Sequence, residues 1–85
     1  IFDTLMFELT LYGKADCELC DQAEAMIRPM TQSSWQLVKT DITSDVKLLE
    51  QYGWSIPVLQ RADTGEELKW PFPPSRLREF LSIAL

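Results

Sequence analysis

The sequence predicts an α/β fold: a four-stranded mixed sheet with helices on both faces. Three observations predict it. Hydrophobicity alternates with a period of two in "MFELTLY", changes to helical spacing beyond Cys17, and returns to short apolar runs on either side of Asp63-Thr64-Gly65. The resulting order is β-α-β-α-β-β-α. Strand–helix–strand at the start implies a right-handed parallel crossover, and the hairpin near the end adds an antiparallel edge.

Each element has its own signals. In the first strand, Met6 to Tyr12, the residues Phe7, Leu9 and Leu11 alternate with Glu8 and Thr10, and Gly13 ends the run. The first helix follows from Leu19, Ala23, Met26, Ile27 and Met30 at helical spacing. Asp16 or Cys17 is its N-cap, acidic residues suit its first turn, and Pro29 kinks or ends it. Trp35 to Lys39 is the second strand. Thr43 and Ser44 cap a short second helix carried by Val46, Leu48, Leu49 and Tyr52, and Gly53 closes it as a left-handed residue. Ile56 to Leu59 is the third strand, with Pro57 at its start, where a missing ladder donor argues for a special geometry. Glu67 to Trp70 returns as the fourth. "PFPP" then breaks the chain, and Pro74 and Ser75 open a last helix marked by Leu77, Phe80, Leu81 and Ala84.

Neither a repeat nor a linker interrupts the 85 residues, so one domain over residues 1–85 is expected, with residues 1–5 a candidate extension ahead of Met6. With 46% hydrophobic and 25% charged residues, the chain reads as a soluble globular protein rather than a disordered one. Apolar runs fall short of the ~20 residues a membrane helix needs, and Ile1 to Leu5 lacks the marks of a signal peptide. Eight basic and thirteen acidic residues give a net charge of −5, which argues against nucleic acid and anionic membranes as partners. Two cysteines without a secretory signal do not make a disulfide scaffold, so a reducing, cytoplasmic location is the expectation.

The chemistry concentrates in "GKADCELCDQA", where Cys17 and Cys20 are spaced Cys-x-x-Cys at the start of a helix. Positions i and i+3 share one side of a helical turn, so the two sulfurs can bond without straining the backbone. Cys17 at the helix mouth meets unpaired N–H groups and the positive end of the dipole, which lower a thiol pKa. Cys20, one turn in, shares a face with Ala23 and Ile27 and is expected to be buried and protonated. Cys17 is thus the candidate nucleophile on a disulfide, and Cys20 the residue that resolves the mixed disulfide. Asp16, Glu18, Asp21 and Glu24 oppose the helix end through solvent, each by about 1 kcal/mol or less, which leaves the Cys17 pKa modestly lowered.

With those residues in view, the chain resembles the thioredoxin fold, nearer its glutaredoxin branch. The segments "LYGKADCELCDQA", "YGWSIPVL" and "ELKWPFPPSRLREFL" are similar to a family of short glutaredoxin-like proteins of poorly defined function. The resemblance implies a thiol–disulfide oxidoreductase acting on protein disulfides or glutathione mixed disulfides, with glutathione as a candidate co-substrate and no permanently bound cofactor. It implies Cys17 as nucleophile, Cys20 as resolving cysteine, and Pro57 as a cis-proline facing them. Ile56 then offers its backbone N–H and C=O to an extended substrate. Lys14 matches a lysine used near the glutathione carboxylate, with Lys47 and Gln51 as helpers. Trp70 and Phe72 are candidate substrate contacts. Where glutaredoxins place a Gly-Gly turn and an acidic or hydroxyl residue, this chain has Trp70-Pro71-Phe72-Pro73-Pro74-Ser75, in which only Ser75 imitates that role. Glu18-Leu19 likewise replaces the usual Pro-Tyr between the cysteines.

Other readings stay open at this level. The cysteines can be two buried structural thiols, or half of a zinc or iron–sulfur site shared by two chains. A single-chain zinc site lacks ligands, since the sequence contains no histidine. A non-catalytic binding module presenting the Ile56-Pro57 edge and the Trp70-Phe72 loop is the runner-up to an enzyme. A monomer is expected.

Overall fold

Two hydrophobic clusters, one on each face of a single sheet, organise the chain. The computed structural model describes residues 7–31 and 34–82. Its elements are β1 (Phe7–Gly13), α1 (Glu18–Ile27), β2 (Trp35–Asp41), α2 (Val46–Tyr52), β3 (Val58–Arg61), β4 (Glu67–Lys69) and α3 (Pro74–Phe80). The sheet order is β2-β1-β3-β4, with β1 and β2 parallel and the other pairs antiparallel. The predicted α/β order and mixed sheet are therefore observed. The expectations for Met6, Ala84 and residues 1–5 lie outside the described residues.

The period of two in β1 does what alternation requires. Leu9 and Leu11 point into the larger cluster with Ala23 and Ile27 of α1 and Leu77 and Phe80 of α3. Tyr12 points the other way, toward Tyr52 of α2, Val58 and Ile42. In β3 the alternation repeats, with Leu59 in one cluster and Val58 in the other. Helices thus cover both faces, α1 and α3 on one and α2 on the opposite one.

The ends of elements show where local rules were read correctly and where they were not. α1 stops at Ile27 and Arg28–Met30 form a 3-10 turn around Pro29, as expected of a ring without an N–H. Thr43 and Ser44 do not cap α2; they belong to a separate 3-10 turn, Ile42–Ser44, capped by Asp41, whose Oδ1 accepts from the Thr43 amide at 2.8 Å. Asp45 caps α2 instead, accepting from the Lys47 amide at 2.8 Å. Gly53 is not left-handed either. Its φ is −52°, and a glycine suits it because a Cβ there would lie 2.5 Å from the Leu49 carbonyl oxygen. Gly65 at φ 78° is the residue that needs left-handed freedom, closing the β3–β4 turn.

Strand limits also move. β3 begins at Val58, so Pro57 stands just before the ladder, and Leu19 is exposed while Cys20 takes the inward position above Ala23 and Ile27. One buried cation was not anticipated. Arg61 donates to the carbonyls of Phe80 (2.7 Å) and Ser82 (2.9 Å), pairs with Asp63 and lies 4.9 Å over the Trp35 ring. It holds the carbonyl end of α3, where a helix leaves acceptors unpaired and carries partial negative charge.

Candidate functional site

Cys17 is the N-cap of α1. Its backbone is extended, and its Sγ accepts the Cys20 amide N–H at 3.1 Å. Asp16 precedes it at a φ of 56°, a left-handed conformation that Asp tolerates better than most side chains and that turns the loop into the helix. The two cysteines are disulfide-bonded, with Cα atoms 5.2 Å apart, a normal span for a bridge. Their burial is unequal: Cys17 is half-buried and Cys20 buried. The asymmetry expected of an attacking and a resolving cysteine is thus present. The same amide that now touches the Cys17 sulfur would stabilise its thiolate after reduction.

Gly13 sets the position of this pair. A Cβ on Gly13 would lie 2.9 Å from the Cys20 Sγ and 3.3 Å from its Cβ, so the strand end must be bare for Cys20 to sit there. On one side of Gly13 lies Asp41 of β2; on the other, the ladder to β3 ends at Tyr12↔Val58. Pro57, one residue before Val58, therefore comes level with Gly13. The Ile56–Pro57 bond is cis and Pro57 is fully buried. The sheet thus brings the cysteine loop and the cis-proline to one end. The Trp70–Pro71 bond is also cis, which the sequence reading did not foresee.

Ile56 needs a correction. Its amide N–H is bonded to the Tyr52 carbonyl at 3.2 Å, alongside that of Ser55 at 2.8 Å. The expected donor to an extended substrate is therefore already engaged in the α2–β3 turn.

A cavity of about 260 Å³ opens beside the buried cysteine, lined by Gly13, Lys14, Cys20, Glu24, Lys39 and Asp41 among others. Lys14, exposed in the loop after β1, thus stands at a cavity that reaches Cys20. Glu24 bonds Lys39 at 2.9 Å and Arg28 at 2.7 Å. The Lys39 bond first, then the Arg28 bond, holds the Glu24 carboxyl below its ordinary pKa. The bond from Thr43 likewise lowers Asp41.

The remaining candidates divide. Trp70 is half-buried at the site end, its amide donating to the Pro57 carbonyl at 3.2 Å. Phe72, expected as a substrate contact, is buried in the core at 3% exposure and meets Trp70 edge-on; its role is packing, because the chain between β4 and α3 must fill that layer. Ser75 is exposed in the first turn of α3, and Lys47 is exposed in α2. Gln51 donates to the Tyr52 hydroxyl at 3.2 Å, and that hydroxyl donates to Glu67, while Tyr12 stacks on the Tyr52 ring. Burial first, then the Glu67 bond, raises the Tyr52 pKa, and that bond ties α2 to β4. Sequence reasoning singled out neither Lys39 nor Trp54. Trp54 has a signal in retrospect, a large apolar residue inside the polar turn Gly53-Trp54-Ser55.

With this geometry in place, the comparisons with known proteins agree. The family model of the Glutaredoxin-like domain (DUF836) matches residues 8–82. The X-ray structure of protein XcR50 from X. campestris is 40% identical, with a TM-score of 0.73, over 86% of this chain and 93% of that one. Its solution structure gives the same identity and score over 86% and 90%. The solution structure of protein Ne2328 from Nitrosomonas europaea is 25% identical, with a TM-score of 0.77, over 96% of this chain and 99% of that one. None of the curated proteins matches.

Proposed function

The chain belongs to the glutaredoxin-like domain family (DUF836), and from that premise we propose that it is a thiol–disulfide oxidoreductase working through a dithiol. The observation that carries this reading is Cys17 at the mouth of α1, its sulfur touching the Cys20 amide at 3.1 Å and bonded to Cys20 itself. In the reduced protein the Cys17 thiolate attacks a substrate disulfide, forming a mixed disulfide and releasing one substrate thiolate, which takes a proton from water. Cys20 then loses its proton and attacks the Cys17 sulfur. The Cys17–Cys20 bond forms, the second substrate thiolate leaves, and two electrons have passed to the substrate. Two equivalents of an external thiol restore the dithiol and leave as their own disulfide.

The substrates in this reading are protein disulfides or glutathione mixed disulfides, and glutathione acts as a co-substrate rather than a resident cofactor. Lys14, at the cavity beside Cys20, and Pro57 and the half-buried Trp70, at the same end of the sheet, are the substrate contacts in this reading. A cytoplasmic location fits a reducing protein; among the described residues no helix is long and apolar enough to cross a membrane.

Thiol trapping in glutathione buffers of varied poise tests the proposal. One two-electron transition between dithiol and disulfide is expected, with Cys17→Ser abolishing disulfide reduction and Cys20→Ser accumulating mixed disulfides. Full activity in both variants would sink it.

A further inference from the structure

Among the described residues four large apolar side chains are exposed: Leu19, Val46, Leu49 and Trp54. Trp54 is the extreme case, with its whole side chain in solvent. An aromatic ring of that size normally supplies burial to a core or an interface. Its backbone, by contrast, is held in place: the amides of Ser55 and Ile56 both bond the Tyr52 carbonyl, and Pro57 follows as a buried residue. The ring is presented on a fixed turn, which lowers the ordering cost of binding.

Topology places Trp54 at the redox end. β1 and β2 run parallel to that end, and β3 starts from it. The loop 14–17, the connection 41–45 and the turn 53–57 therefore emerge together. The same connections and the first turn of α1 carry the exposed carboxylates Asp16, Glu18, Asp21, Asp41 and Asp45, against the ammonium groups of Lys14, of Lys47 in the first turn of α2 and of Lys69 at the end of β4. Among the described residues no ion pair engages Asp16, Glu18 or Asp21. An anionic disulfide meets like charge here, and a cationic one meets opposite charge.

We infer that this end of the molecule is a docking surface for an extended, cationic segment of a protein disulfide, with the Trp54 indole receiving a lysine or arginine side chain near the segment's cysteine. The inference rests on the exchange reading of Cys17 and Cys20 and narrows its substrate class. The segment's disulfide is opened by the Cys17 thiolate as described above, while an indole face attracts a cation and the acidic rim steers it.

The test uses pre-reduced protein and three disulfide probes: a peptide with arginines flanking its cysteine, the same peptide with glutamates, and oxidised glutathione. Second-order rate constants are read from released thiol at low and high salt. The arginine peptide should react about tenfold faster than the glutamate peptide at low salt, and the gap should narrow as salt is added. In Trp54→Ala that preference should fall to about threefold. If the wild type reduces the probes, a preference that is absent, or untouched by Trp54→Ala, overturns the inference. So does Trp54-dependent self-association in sedimentation, which would make the occupant a second copy of the chain. Titration of an S-methylated arginine peptide into the Cys17→Ser/Cys20→Ser variant separates the two readings. Trp54-dependent binding there, with no reduction of any probe by the wild type, refutes the exchange reading alone and supports the surface.

Discussion

Replacing Gly13 by alanine puts one methyl group into the contact on which the cysteine pair rests. The added Cβ would stand 2.9 Å from the Cys20 Sγ and 3.3 Å from its Cβ. Relief is restricted on both sides: the Sγ is tied to Cys17, and Gly13 is paired to Asp41 in the ladder. Overpacking of this kind costs about 1–3 kcal/mol, a large part of the ~5–15 kcal/mol that holds a small domain together. In a domain this size about 4–8 °C of Tm goes with each kcal/mol. Reduction frees the Cys20 sulfur to turn away from the new methyl, so the oxidised form should lose more stability than the dithiol. If the difference is about 1.4 kcal/mol, the couple becomes more oxidising by about 30 mV. Urea unfolding of wild type and Gly13→Ala, each with and without reductant, measures both stability losses, and thiol trapping measures the potential independently. Equal losses in the two redox forms, or a larger loss in the dithiol, would refute the steric argument.

Two further expectations concern the fold. Arg61→Met keeps the apolar stem but removes the bonds to the Phe80 and Ser82 carbonyls and the pair with Asp63, and should cost about 3 kcal/mol in urea unfolding; a loss below about 0.5 kcal/mol would show that α3 does not depend on it. Glu24, held below its ordinary value of 4.5 by Lys39 and then Arg28, and Asp63, held below 3.8 by Arg61, are lowered in the folded state. The unfolded chain therefore takes up protons first, so their contribution is complete above the ordinary carboxylate range and is lost as pH falls through it. Stability measured between pH 7 and pH 3 should decline, less steeply in Glu24→Gln, and an unchanged slope in that variant would contradict the assignment.

Much of this protein is legible one segment at a time. The period of two in β1, the helical spacing from Ala23 to Ile27, Pro29 at the end of α1 and Gly65 in the hairpin turn are consequences of local geometry, and the structure shows each of them. The placement of Cys17 at a helix mouth, with Cys20 inward, is of the same kind, because three residues of helix suffice to decide it. Local rules fail where two candidates compete within a few residues. Asp45 rather than Thr43 or Ser44 caps α2, since Asp41 and its 3-10 turn claim those two hydroxyl residues first.

The amino-acid sequence by itself determined the order of elements, the net charge, the Cys-x-x-Cys at the start of α1 and the family to which these belong. Tertiary structure alone decided which of the aromatic residues face inward. Phe72 fills the core and Trp54 stands in water, though both sit in short connections between elements. It also decided that Gly13 seats Cys20, that Lys39 and Glu24 meet at the cavity beside it, and that the Ile56 amide is already bonded. The physical reason is one of range. Periodicity and capping are set by neighbours within a turn, whereas burial, ion pairing and close approach depend on which distant faces the sheet brings together.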